Sequence, residues 1–328
     1  MKGRRNTIVS TFAVLFFILL AVLTCRAFGK SNNHIQKRNE VVENQEEVQT
    51  INHFKKNRFR KHRKLGNLHF RRLKNNEEYY EVDEVNDTIN DIAIKDDIEI
   101  DSILLELLPA PINNRPEQLL VRKTYFASYN KDWRIPNWVM WKLTAEHTDG
   151  NAPRRNSFRE DIEVPKPRAT PADYKGSGWS RGHMCPSGDN KWDARANHET
   201  FLLSNLCPQD ANLNSGLWNS IEMDCRKWAR KYGEVFIICG PLPLRAGYET
   251  IGENKVAVPK AFFKIVLCLN DKPKAFGFVV KNKSGEKKSD LYYNNVREIE
   301  RLTDIDFFPT LPDTLEDVIE THADINEW

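Results

Sequence analysis

Opposite charges are sorted along the first hundred residues of this 328-residue chain, and the sorting limits where a core can form. Residues 1–74 hold 17 Lys/Arg against 4 Asp/Glu, whereas residues 75–101 hold 11 Asp/Glu against one Lys. From 30 to 118 the polar residues Asn, Gln, Glu, Lys and Arg dominate and apolar periodicity is weak. Such a stretch cannot bury enough apolar surface to offset the entropy of ordering it. It reads as a charged, low-complexity tether. The whole chain carries a formal net charge of only +3, so the remainder, residues 102–328, is close to neutral. No global positive field draws in an anionic partner, and a polyanion has to be held by a local cluster of cations. Inside the tether, Lys55–Lys74 interleaves Phe54, Phe59 and Phe70. That block could grip a nucleic acid or an anionic membrane, but its acidic neighbour favours a solvated charge run.

Ahead of the tether, Met1-Lys2-Gly3-Arg4-Arg5 precedes an uncharged, largely apolar run from Ile8 to Cys25. Its 18 residues lie on the border between a signal peptide and a membrane span. Ala27-Phe28-Gly29 offers a small-x-small cleavage site. If uncleaved, residues 8–25 partner a membrane with the basic flank inside. The expectation is an exported protein, secreted, periplasmic or membrane-anchored, with its folded part outside the cytoplasm. Residues 1–29 are then a signal peptide or anchor, 30–118 a linker, and 119–328 the folded domain. Cys25 belongs to the leader. The other five cysteines, Cys185, Cys207, Cys225, Cys239 and Cys268, are an odd number with no CxxC pair, which argues against a structural zinc site.

Ser102–Leu108 is a short apolar segment that stops at Pro109 and is expected to dock on the domain. Thr124–Tyr129 and Trp138–Thr144 read as strands split by Pro136, and Asp149–Ser177 is turn-rich. Thr200–Leu206 is a short buried run. Leu217, Ile221, Cys225 and Trp228, spaced by four, four and three, predict a helix over 214–231. Glu234–Cys239, Ala261–Leu269 and Ala275–Val280 read as strands, and Asp290–Leu302 as a helix capped by Ser289 or Asp290. Strands and helices do not alternate regularly, so the expected class is α+β with a mostly antiparallel central sheet flanked by helices.

Within this domain His183 follows a glycine-flanked stretch, Gly176-Ser177-Gly178-Trp179-Ser180-Arg181-Gly182. A histidine titrates near neutral pH and can take a proton from water. Asn214 and Glu222 lie eight residues apart on the expected helix, about 80° apart around its axis. An amide oxygen is a hard ligand suited to Mg²⁺, which keeps most of its waters, and a nearby carboxylate can bind one of those waters. Arg154, Arg155 and Arg159 cluster in a polar loop upstream, and guanidinium groups match phosphate oxygens. Taken singly, each has a plainer reading: a loop histidine, a helix cap, a surface acid, an exposed basic loop. No spaced ligands support His198 as a zinc partner for His183.

Their order along the chain changes that. Ala172-Asp173-Tyr174 through Ser180-Arg181-Gly182-His183-Met184 resembles the signature of the DNA/RNA non-specific endonucleases, the ββα-metal family that includes secreted bacterial nucleases and mitochondrial endonuclease G. Phe201-Leu202-Leu203-Ser204-Asn205-Leu206-Cys207-Pro208-Gln209 and the stretch Leu213–Glu222 resemble its second signature. The likeness reaches upstream to Pro136–Val139 and Phe158–Asp161, and downstream to Asp306–Pro312. The resemblance implies a ββα-metal fold and a Mg²⁺-dependent endonuclease, Mn²⁺ serving as an alternative. Such an enzyme hydrolyses DNA and RNA without sequence specificity, leaves 5′-phosphate ends, and in some members forms a homodimer.

By the same resemblance, His183 is the general base, Asn214 the single protein ligand of the metal, and Glu222 and Asn205 orient the metal's waters and the base. Arg181 stands beside the metal cluster. Arg154 is placed for the reacting phosphate, with Arg155 and Arg159 available to bind the nucleic acid. One position departs from the pattern: Ser180 stands where the family usually has an aspartate that supports the metal's water shell. Two other readings follow. One is an exported nucleic-acid-binding protein with a decayed site. The other is a mitochondrial enzyme whose leader is a transit segment, against which the long apolar run and few serines argue.

Overall fold

The apolar run around Trp138 lies in strand β3 (Ile135–Thr144), which is buried along nearly its whole length. The structure, a computed structural model, describes residues 101–153, 157–270, 272–285 and 292–328. In it β3 belongs to a sheet ordered β1 (Gln118–Val121), β2 (Tyr125–Asn130), β3, β6 (Glu234–Pro241), β9 (Ala261–Cys268), β10 (Lys274–Lys281) and β11 (Tyr293–Asn294). Every neighbouring pair is antiparallel. Pro136, expected to lie between two strands, sits inside β3 opposite Tyr129, where the register shifts between Ser128 and Tyr129. A proline lacks the amide hydrogen of a regular ladder and is tolerated at such an irregularity.

Successive side chains of a strand point to opposite faces. Cross-strand pairing therefore puts Val139, Cys239, Lys264 and Phe278 in one row of the first face, with Trp141, Ile237, Val266 and Phe276 in the next. Helix α5 (Asn219–Tyr232) covers this face through the stripe that the spacing predicts. Trp228 packs edge-on against Phe276 at 5.4 Å. Ile221 is fully buried here, worth about 1.5–3 kcal/mol. The second face is covered by α6 (Val296–Thr303) and the segment after it, where Phe307 meets Phe263 at 5.6 Å. Ile299 lies so close over Gly277 that any side chain there would collide with it. Because both faces are covered, the central strands read as unbroken apolar runs rather than alternating ones.

The segment expected to dock forms α1 (Ser102–Glu106), with Ile103, Leu104 and Leu107 buried and Asp101 as its cap. Two expected helices differ from their prediction. Regular α-helix begins at Asn219 rather than Asn214, and Asn214–Trp218 is a π turn with Gly216 at φ −103°, ψ −105°. The 80° separation computed for a straight helix therefore does not apply. Helix α6 starts at Val296, because Tyr293–Asn294 are taken up as β11 against β10. Its cap is Asn295, whose side chain accepts from the Glu298 amide at 2.8 Å; Ser289 and Asp290 lie outside the described residues. Helix α7 (Asp313–Thr321) follows, tied to α6 by Arg297. The five cysteines of the domain are free and buried.

Candidate active site

Two strands and the helix that follows them form a ββα unit. Strand β4 (Ser180–His183) pairs antiparallel with β5 (Leu206–Gln209), and the chain then turns into α4 (Ala211–Leu213), the π turn and α5. Gly182 sits opposite Cys207 with the Gln209 side chain folded across it, so a Cβ at 182 would overlap that side chain. Glycine before the histidine is a packing requirement here.

His183 ends β4 and is only 8% exposed. Its ring meets Phe201 edge-on at 5.1 Å and Phe158 at 5.7 Å. Its carbonyl accepts a hydrogen bond from Trp218 Nε1 at 3.2 Å. Next to it, Asn205 is fully buried and its side-chain hydrogen bonds all go to backbone. Its Oδ1 accepts from the Cys185 amide at 2.9 Å, and its Nδ2 donates to the Cys185 and Thr200 carbonyls at 2.8 and 2.9 Å. The side chain thus fixes the backbone that follows the histidine. Arg181 lies over the Phe158 ring at 4.1 Å with its guanidinium exposed, a cation–π contact worth roughly 0.5–1 kcal/mol at an exposed site. Phe158 thereby touches both the arginine and the histidine.

The helix is pinned at its start. Asp210 Oδ1 accepts from the Asn212 and Leu213 amides, both at 2.9 Å, which places Asn214 one residue on. The Asn214 side chain is half-buried and hydrogen-bonds no other described residue. Trp218, which binds the His183 carbonyl, is four residues further, and Glu222 four beyond that. Glu222 is ion-paired with Arg226 at 3.3 Å, and Arg226 Nε donates to Asp189 Oδ1 at 2.6 Å. Asp189 Oδ2 also accepts from Trp141 Nε1 at 3.1 Å. Burial pushes the Glu222 carboxyl above its ordinary value, and Lys264 and Arg226 oppose that rise. The Asn214 amide oxygen and the half-buried Glu222 carboxylate, each four residues from Trp218, are both hard donors. They fit a largely hydrated Mg²⁺ better than a softer metal.

The remaining expected residues divide. Ser180 opens β4 opposite Gln209, half-exposed. Arg159 is directed at α3 (Ala194–Glu199), donating to the His198 carbonyl at 2.9 Å, while its backbone bridges Leu202 and carries Phe158 up to Phe201. Burial holds its guanidinium below the usual value. Arg154 and Arg155 lie outside the described residues. Asp189, Arg226 and Lys264 were not among the expected site residues. Lys264 alone carried a signal: a single charge within the apolar run Ala261–Cys268.

The family model for the DNA/RNA non-specific endonucleases matches residues 109–314. The chain belongs to that family. It is 39% identical over 202 residues to the mitochondrial nuclease EXOG of Mus musculus, covering 56% of this chain and 55% of the relative. It is also 39% identical over 161 residues to the mitochondrial endonuclease G of Homo sapiens, covering 46% of this chain and 54% of that one. The chain thus spans about half the length of these curated relatives. Among solved structures, one of an EndoG/EndoGI complex matches with a TM-score of 0.59 and 28% identity, over 64% of this chain and 91% of that chain. The ββα-metal architecture expected from the motifs is the one found.

These relatives correct one expectation. The apolar leader pointed to export, whereas the animal nucleases that this chain resembles are mitochondrial. Residues 8–25 lie outside the described residues, and no described helix is long and apolar enough to cross a membrane.

Proposed function

We propose that this protein is a Mg²⁺-dependent, mitochondrial endonuclease that hydrolyses phosphodiester bonds in DNA and RNA without sequence specificity, through the domain spanning 119–328. The observation that carries the reading is the hydrogen bond from Trp218 to the His183 carbonyl, which ties the candidate base to the stretch of chain between Asn214 and Glu222. The His183 imidazole takes a proton from water, and the water oxygen attacks phosphorus. The bond to the 3′-oxygen breaks, leaving a 5′-phosphate and a 3′-hydroxyl that regains its proton from solvent. Phe201, edge-on to the ring, keeps the imidazole oriented during the transfer. Arg181, and by family position Arg154, balance the charge that develops on the phosphate oxygens. Arg155, by family position, binds the flanking strand, joined by the guanidinium nitrogens of Arg159 that are not given to the His198 carbonyl. Mg²⁺ held by Asn214, when bound, supplies Lewis-acid stabilisation of the phosphate and leaving oxygen. Glu222 orients water around that position. No base-edge contact is needed for any of these steps, which accounts for the lack of sequence preference.

Ser180 contributes a hydroxyl where an aspartate would add a negative charge. The expected result is weak metal retention. A Mg²⁺ titration of cleavage should show tighter apparent binding in Ser180→Asp, and an unchanged affinity would remove this role. The function itself is tested by plasmid and RNA cleavage with Mg²⁺, with EDTA and His183→Ala as controls. Cleavage that both controls abolish supports the enzyme. A wild type that binds DNA yet cuts nothing with Mg²⁺ or Mn²⁺ establishes a binding protein with a decayed site.

A further inference from the structure

Trp192, in the turn before α3, has no part in the catalytic steps, and 40% of its surface stays in water. Its ring stacks on the His147 imidazole, with ring centres 4.6 Å apart and planes 9° from parallel. His147 Nδ1 lies 3.3 Å from the Lys142 carbonyl of β3, which ties the stack to the central sheet. Burial holds the imidazole below its ordinary value, so it is neutral around pH 7. The exposed part of the indole is thus a rigidly backed apolar surface that folding itself does not bury.

The indole and the imidazole line a cleft of about 280 Å³ together with Lys123, Thr124, Lys142 and Thr144. Lys123 Nζ stands 5.8 Å from the Trp192 ring centre and is ion-paired with Asp193 at 2.7 Å. Lys142 is paired with Asp101. An ammonium has three donors, so each pair fixes its lysine and leaves donors for a ligand. Arg122, also in the wall, is committed to Asp161 and Glu163. Because carboxylates balance these cations, the cleft suits a planar ring with acceptor edges better than a bare phosphate. The site also lies along the chain from the catalytic residues. Helix α3 rises about 9 Å over its six residues, some three phosphate spacings of a strand. Trp192 precedes it, and beyond its other end Phe201 meets His183 while Arg159 donates to the His198 carbonyl. The segment that leads to the upstream arginines starts here too. The Ala152 amide donates to the Lys191 carbonyl at 2.9 Å, and a Cβ at Gly150 would collide with the same peptide.

We propose that this cleft is a stacking subsite for one unpaired base of the substrate strand, which packs on Trp192 at the end of α3 away from His183. This inference rests on the nuclease reading above and gives the enzyme a preference for single-stranded nucleic acid. In a duplex each base is already stacked on its neighbours, so only a base turned out of the helix offers a face to the indole. Every base has such a face, so the subsite adds affinity without adding sequence preference.

The test is fluorescence anisotropy on the full chain carrying His183→Ala, which leaves bound nucleic acid uncut, in Mg²⁺. The probes are a polythymidine strand, an abasic strand of equal length and a duplex. Adding Trp192→Ala should weaken polythymidine binding about tenfold, as expected for one base on one aromatic ring, and leave the abasic strand and the duplex unchanged. Trp192→Phe should recover most of the loss. With His183 intact, Trp192→Ala should raise KM for single-stranded DNA by a similar factor and keep kcat. Unchanged polythymidine binding, or an equal loss on the abasic strand or the duplex, overturns the inference and leaves the nuclease reading standing. Thymidine 5′-monophosphate that binds as tightly as the strand, and only when Trp192 is present, assigns the cleft to free nucleotide and also overturns it. A wild type that shows the predicted binding differences yet cuts nothing supports the inference and overturns the nuclease reading alone. If Trp192→Ala does not fold, photo-crosslinking of a 5-iodouracil strand to the His183→Ala chain decides. An adduct on Trp192 supports the inference, and adducts found only elsewhere overturn it.

Discussion

Carboxylates gather in two places, beneath the ββα unit and around α6 and α7, with Asp189 and Glu320 the buried member of each, and the two groups differ in what faces them. Glu222 and Asp189 share one guanidinium, Arg226, at 3.3 and 2.6 Å, and Lys264 also opposes the rise that burial gives Glu222. Around α6 and α7, Glu300, Asp306, Glu316 and Glu320 crowd one another with Arg297 at the rim. Glu320 is only 2% exposed; one oxygen is held by Arg297 at 3.1 Å and the other has no hydrogen-bond partner among the described residues. Burial, reinforced by Glu300, pushes Glu320 up to about 7. Burial together with Glu320, Asp306, Asp313 and Asp317 does the same to Glu316. Countercharge separates the two: beneath the ββα unit both acids share an arginine, whereas around α6 and α7 the crowded acids make the packing of α7 sensitive to pH.

The largest effect should come from breaking the paired side. Arg226→Met leaves Asp189 and Glu222 buried with one cation fewer, and removing one partner of a buried pair costs about 3–5 kcal/mol. Denaturant unfolding of the variant should show that loss, and a change within error would mean that solvent reaches the pair. The acid-crowded side should respond in the opposite sense. A carboxyl raised by folding binds its proton more tightly in the folded state, so its contribution to stability is complete below the ordinary carboxylate range. That contribution is lost as pH rises from there through about 7. Glu320→Gln should therefore stabilise the protein at mildly alkaline pH by on the order of 1–3 kcal/mol, and have little effect at acid pH. Thermal melts at two pH values check this, and equal shifts at both would refute it. The smallest effect belongs to Phe158→Leu. It removes the ring under Arg181, a contact of roughly 0.5–1 kcal/mol, and should raise KM for plasmid a few-fold with kcat nearly kept. A fall in kcat with KM unchanged would show instead that the ring serves His183.

What could be read in advance was local. The α5 stripe at Leu217, Ile221, Cys225 and Trp228 follows from helical period alone, and the strands around Trp138, Ile237 and Ile265 follow from apolar runs of β-forming residues. The ordered motifs around His183 and Asn214 named the family. Features set by distant partners were not legible. The π turn at Asn214–Trp218 depends on how Trp218 reaches the His183 carbonyl, thirty-five positions away in sequence. Arg226 and Asp189 look like ordinary surface charges until the fold pairs them at 2.6 Å. Asn295 displaced Ser289 and Asp290 as the cap of α6 because the chain before it pairs with β10. Arg159 sits among the upstream arginines by composition, yet the fold directs it to the His198 carbonyl.

The claim that a water activated by His183 attacks phosphorus is tested most directly by cleaving plasmid and RNA with the full chain and Mg²⁺ in oxygen-18 water. Mass spectrometry should find one heavy oxygen in each new 5′-phosphate end, and His183→Ala should make no such ends. Cleaved RNA ending in 2′,3′-cyclic phosphate, or 5′-phosphate ends formed just as fast by His183→Ala, would contradict the account.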